Sequence, residues 1–148
     1  TALVNQATNL LVAGHTPARN AGQHPNIAPY GEALHCSDGY VVLAVGNDRQ
    51  FEGLCRVLGV PELATDDRFK TNQQRVAHRH ALLEYLNANA ATWTKTALEL
   101  ALRDAGAPAG IVKSMDEVFE GDGAQWTVEN PSGATRARTV AYSVTYFG

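Results

Sequence analysis

Cysteine is nearly absent from this chain: Cys36 and Cys55 are the two in 148 residues. Two thiols without C-x-x-C spacing exclude a disulfide framework, so both are expected to be buried and reduced, and the expected compartment is the cytoplasm. Long apolar runs are missing too. The longest, Tyr40 to Val45, is far short of the roughly 20 residues that a bilayer span needs, and no charged-then-apolar leader opens the chain. Positive charge is not in excess, since 12 basic against 15 acidic side chains leave a net charge of −3. That balance lacks the electrostatic footprint of a nucleic-acid binder. Neither a membrane nor a nucleic acid is therefore an expected partner.

The usual chemical signatures are also lacking. There is no G-x-x-x-x-G-K and no G-x-G-x-x-G after a strand, which sets aside the common nucleotide cradles. No G-x-S-x-G occurs, and Ser37, Ser114, Ser132 and Ser143 fall in turn, cap or strand contexts, so a serine nucleophile is not expected. His78 and His80 are two residues apart on an expected helix, which turns them roughly 200° from one another and onto different faces. They cannot chelate one metal as an i, i+4 pair would, and no metal site is expected. The carboxylate pairs Asp66 with Asp67 and Glu117 with Glu120 read as helix-start and solvated-face residues.

What remains is a composition of 45% hydrophobic and 18% charged residues, that of a globular domain with one core. Leu3, Ala7, Leu10, Leu11 and Val12 approximate a helical period over Ala2 to Ala13, with Gly14 and Pro17 as a stop. An amphipathic helix at this position is expected to dock on something outside itself. Thr16 to Pro29 carries three prolines and reads as a long shaped loop.

Tyr30 to Cys36 and Tyr40 to Val45, joined by Ser37-Asp38-Gly39, read as a β-hairpin whose second strand is apolar on both faces and central. Gly46-Asn47-Asp48 then opens a helix with Phe51, Leu54, Cys55 and Leu58 on one face. Thr71 and Gln74 form a capping-box pattern for a longer helix that buries Val76, Leu82, Leu83, Leu86 and Ala90. A third helix follows Thr94 and buries Leu98, Ala101, Leu102 and Ala105. Gly110 to Lys113 reads as a short strand, and Ser114 caps a brief helix. A second hairpin is expected from Gln125 to Glu129 and Thr135 to Phe147, with Val140, Tyr142, Val144 and Tyr146 on one side.

The most suggestive arrangement is the loop Asn20-Ala21-Gly22-Gln23-His24-Pro25-Asn26 taken with Gly46-Asn47-Asp48 at the end of the central strand. Backbone amides near a glycine and at a helix start are anion-friendly donors, and His24 or Asp48 offers a group for proton transfer. From the residues alone no self-contained active site emerges.

Three segments in this order, NAGQHPNIAPY, SDGYVVLAVGNDRQFEGLCRVLGVPELATDDRFKTNQQRVAHR and AGAPAGIVKSMDEVF, resemble the family III CoA-transferases, the CaiB/BaiF type that includes formyl-CoA transferase, carnitine CoA-transferase and α-methylacyl-CoA racemase relatives. The resemblance runs from about Leu3 to Glu120, and TVENPSGATRARTVAYSVTYF resembles the family's return segment.

It implies an α+β fold, a small antiparallel sheet packed with helices, which is the family's small C-terminal domain without the Rossmann half. It also implies a division into a linking helix at 1–18, the small domain at 19–120 and a return hairpin at 121–148. Coenzyme A or an acyl-CoA would be the substrate of the parent enzyme. In the family an aspartate of the absent large domain attacks the thioester, and anhydride and aspartyl-CoA thioester intermediates pass CoA to a carboxylate acceptor.

The loop matching Ala21, Gly22, Gln23, His24 and Pro25 would cover that site. Racemase relatives use a supporting Glu that falls near Asp48. A lone Gly22 where formyl-CoA transferases have several glycines points to another acyl-CoA subgroup. The implied partners are the large CoA-binding domain, in the same or a separate chain, and a second copy of the chain.

Three readings follow: a piece of a transferase that is inactive alone, a binding module derived from one, or a domain of a racemase. Thr1 in place of an initiating Met fits the expectation of a piece.

Overall fold

A computed structural model describes residues 4–14, 16, 22–118, 127–129, 132 and 135–137. The chain divides into two compact units, Thr1–Ile111 and Val112–Gly148.

The first unit is built on a three-stranded antiparallel sheet in the order β1 (Tyr30–Cys36), β2 (Gly39–Ala44), β3 (Ala109–Ile111). Alternation puts Leu34 and Cys36 of β1, and Val41, Leu43 and Val45 on and after β2, on the buried side. β2 is central, but its second face is only half-covered: Val42 and Ala44 are half-buried and Tyr40 is exposed. The third strand begins one residue earlier than Gly110 and ends at Ile111, because its register is set by β2, with Leu43 opposite Ala109 and Val41 opposite Ile111.

Helices cover the buried side. α2 (Asp48–Val57) starts where Asn47 Oδ1 accepts from the Gln50 amide at 2.9 Å, and it buries Phe51, Leu54, Cys55 and, at its C-cap, Leu58. α5 (Lys95–Asp104) is capped by Thr94 and buries Leu98 and Leu102, while Ala101 and Ala105 are half-buried. Gly53 of α2 lies so near this helix's end that a Cβ there would be 2.6 Å from the Ala105 carbonyl oxygen. The close approach requires glycine.

The longer helix expected after Thr71 is two: α3 (Asn72–Ala77) and α4 (Arg79–Ala90). His78 separates them with φ −110° and ψ 26°, outside the helical well, and its ring nitrogen Nδ1 lies 3.0 Å from the Gln74 carbonyl. Thr71 still caps the first piece by accepting from the Gln74 amide at 3.3 Å. Leu82, Leu86 and Ala90 are buried, whereas Val76 and Leu83 are half-buried.

α1 (Val4–Ala13) ends on Gly14, whose positive φ of 66° and amide bond to the Leu10 carbonyl at 3.0 Å form a helix stop. Leu11 and Val12 are 83% and 81% exposed.

In the second unit Ser114 and Glu117 cap a helical turn at 115–118 reciprocally. The Ser114 amide donates to Glu117 Oε2 at 2.8 Å, and the Glu117 amide to Ser114 Oγ at 3.4 Å. β4 (Thr127–Glu129) and β5 (Thr135–Ala137) pair antiparallel, as a second hairpin requires. Its expected inward side at Val140, Tyr142, Val144 and Tyr146 lies outside the described residues. Among the described residues no helix is long and apolar enough to cross a membrane.

Candidate functional site

The loop Gly22–Pro29 runs into β1 through an irregularity in register between Tyr30 and Ala33. Gly31 occupies it with φ +80°, and a Cβ there would be 1.8 Å from the Gly22 carbonyl oxygen. The backbone at 22 therefore crosses the backbone at 31 in direct contact. Beyond the crossing, the His24 amide donates to the Tyr30 carbonyl at 2.8 Å, and the His24 ring meets Tyr30 edge-on at 5.6 Å.

Side chains from α3 and α4 hold the rest of the loop. Asn72 accepts from the Ala28 amide at 3.1 Å and donates to the Asn26 carbonyl at 2.8 Å. Arg75 is 1% exposed and uses three nitrogens: Nε donates to the Ala28 carbonyl at 2.7 Å, Nη1 to the Phe69 carbonyl at 3.0 Å and Nη2 to Asp48 Oδ1 at 2.7 Å. Its guanidinium also stacks 4.5 Å from the Phe51 ring centre. Arg79 donates from Nη1 to Glu32 Oε1, and from Nη2 to the carbonyls of His24 at 2.6 Å and Ile27 at 3.0 Å.

Glu32 is 2% exposed and points inward in phase with Leu34 and Cys36. Among the described residues its Oε2 has no hydrogen-bond partner. Burial raises its carboxyl above the ordinary range, outweighing the attraction of the Arg79 guanidinium. Burial likewise pushes the Cys55 thiol up to about 12, and Cys36 in the same direction.

Of the residues singled out in the sequence, Gly22 and Gln23 are exposed, and His24 and Pro25 are half-buried. Ala21 lies outside the described residues. His24 Nδ1 accepts from the Asn26 amide at 3.2 Å, which puts the ring proton of the neutral form on Nε2. Asp48 is exposed at the start of α2 and engaged by Arg75; the helix cap is Asn47. His24 and Asp48 are thus each tied to a different arginine. Among the described residues no three His, Cys, Asp or Glu side chains gather as a metal site would require.

Sequence reasoning missed Arg75, Arg79, Asn72 and Glu32. The signals were present: two arginines four apart in a segment otherwise read for its apolar face, and an acid at an inward strand position.

The sequence profile described as CoA-transferase family III matches residues 1–141. The chain belongs to that family. It is 41% identical over 117 residues to the succinate–glutarate CoA-transferase of Agrobacterium fabrum, covering 79% of this chain and 29% of that enzyme. Against the human succinyl-CoA:glutarate CoA-transferase it is 32% identical, over 76% of this chain and 26% of the relative. The crystal structure of a CAIB/BAIF family protein from Brucella suis superposes with a TM-score of 0.79 at 41% identity, covering 95% of this chain and 38% of that one. Family III membership and the α+β fold with a small antiparallel sheet agree with the sequence-based expectation. The chain spans between a quarter and three tenths of the curated relatives' length.

Proposed function

We propose that this chain is the small, loop-bearing part of a family III CoA-transferase and acts by covering the site where CoA passes between an acyl-CoA thioester and a carboxylic acid. The observation that carries the reading is the 41% identity to a succinate–glutarate CoA-transferase over a segment that is 29% of that enzyme. By that likeness the acids exchanged are short dicarboxylates.

The aspartate that forms the aspartyl intermediate belongs to a large CoA-binding half, in the same or a separate chain, and the 148 residues alone are inactive. Within them 1–18 links, 19–120 covers and 121–148 returns toward the large half. The working assembly is an oligomer of such chains in the cytoplasm. The loop Ala21, Gly22, Gln23, His24 and Pro25 lies over the reacting carboxylate. Supporting this, the described part of the loop is fixed by the charged side chains of Arg75 and Arg79, which reach it from α3 and α4. The Arg75 ion pair supports a structural role for Asp48 over one in proton abstraction by a racemase.

The test has two arms, both supplied with succinyl-CoA and glutarate. The 148-residue chain should transfer no CoA. A chimera in which residues 22–111 replace the matching segment of the Agrobacterium enzyme should transfer it. Turnover by the chain alone, or a folded chimera that transfers nothing, would overturn the reading.

A further inference from the structure

The Arg79–Glu32 pair has no place in the chemistry just proposed, yet it is an expensive feature. A carboxylate that is 2% exposed must be compensated, and here one guanidinium nitrogen is its partner while its second oxygen is unpaired among the described residues. The other terminal nitrogen of the same guanidinium bonds two loop carbonyls, His24 and Ile27, three residues apart in the chain.

A planar guanidinium whose one end is fixed by a carboxylate has little freedom left at its other end. We propose that Arg79 is a positioning residue for the 22–29 loop and that Glu32 is its anchor: the carboxylate orients the guanidinium, and the guanidinium sets where the His24 and Ile27 carbonyls lie.

The neighbouring clamp does not substitute for it. Arg75 and Asn72 hold the loop's later residues, at the Ala28 carbonyl, the Ala28 amide and the Asn26 carbonyl. At His24 itself the described holds are the Tyr30 carbonyl, the Asn26 amide on its ring and Arg79. Loss of Arg79 therefore loosens the start of the loop, next to Gly22 and Gln23, more than its end. Lysine cannot replace it, because a single ammonium does not present two separated nitrogens to a carboxylate on one side and two carbonyls on the other.

The meaning of the loop rests on the proposed function, but the test does not use turnover. Amide hydrogen exchange is followed residue by residue in the 148-residue chain and in Arg79→Lys, Arg79→Met and the double variant Arg79→Met/Glu32→Gln, which removes both charges so that neither is left buried alone. The amides of His24 and Asn26 should exchange at least tenfold faster in all three, while those of Val41 and Leu43 in the central strand stay within about twofold in the double variant.

Unchanged exchange at His24 and Asn26 overturns the proposal. So does acceleration shared equally by Val41 and Leu43, which would show loss of the fold and no specific hold on the loop. If the exchange result holds while the chimera described above transfers nothing, the clamp stands and the transferase reading falls.

Discussion

Arg75 and Arg79, four residues apart in sequence, sit on two different helices and end on neighbouring carbonyls of one loop: Arg75 Nε on Ala28 at 2.7 Å and Arg79 Nη2 on Ile27 at 3.0 Å. His78 breaks the helix between them. The result is a loop gripped from beneath by two side chains, each with its own acidic partner, Asp48 and Glu32.

Arg75→Met should cost about 2–4 kcal/mol, since it strands the Ala28 and Phe69 carbonyls, while the Asp48 carboxylate it leaves behind is exposed to water. Urea unfolding of the 148-residue chain measures it. A loss below about 1 kcal/mol would mean that the loop readily finds other partners.

At Asp48 the two readings of the side chain part. As a partner of Arg75 it needs an acceptor oxygen, so Asp48→Asn should cost less than about 1 kcal/mol and Asp48→Ala about 1–2 kcal/mol. In the active chimera Asp48→Asn should retain most of the transfer rate. Abolished transfer in a normally stable Asp48→Asn protein would return a chemical role to this residue.

Gly31→Ala and Gly106→Ala separate crowding from backbone strain. Both glycines have positive φ, +80° and +70°, but a Cβ at Gly31 meets the Gly22 carbonyl at 1.8 Å whereas one at Gly106 meets nothing within 4 Å. Gly106→Ala should cost about 1–2 kcal/mol from the left-handed backbone alone. Gly31→Ala should cost more and shift the amide resonances of Gly22 to His24. Equal costs would show that the crossing relaxes freely.

Glu32 has a signature in pH. Its folded carboxyl is held above the ordinary value of 4.5, so above that pH the unfolded chain releases the proton first. Relative to Glu32→Gln, the native protein should be at its best below pH 4.5 and lose ground as pH rises toward the folded value. Urea midpoints of both proteins between pH 4 and 8 check the sign; a native protein that gains on the variant over that range contradicts it.

The two thiols should resist alkylation in the folded protein. Cys55 is fully buried, with its thiol pushed up to about 12, and Cys36 is buried and shifted the same way. Both burial and the upward shift disfavour thiolate, so iodoacetamide should modify the two only when the chain opens, and both at once in urea. Rapid labelling of either one in native buffer would place it at the surface.

The sequence by itself determined the hairpin, the capped helices and the inward-facing leucines, because these depend on local periodicity, turn chemistry and caps within a few residues of one another. Tyr30–Cys36 alternates, Thr71 and Thr94 cap, and Gly14 takes the positive φ that ends a helix. It also carried the family, whose profile matches residues 1–141.

The loop's support was decided by tertiary structure. The contacts of Arg79 with Glu32 and His24 cross 47 and 55 residues, and that of Arg75 with Ala28 crosses 47, and no periodicity encodes such pairings. A charged side chain reads as surface until the fold supplies a carboxylate and backbone carbonyls that make its burial tolerable. For the same reason Asp48, legible as a helix-start residue, became the partner of a buried arginine only when α3 was laid beside α2.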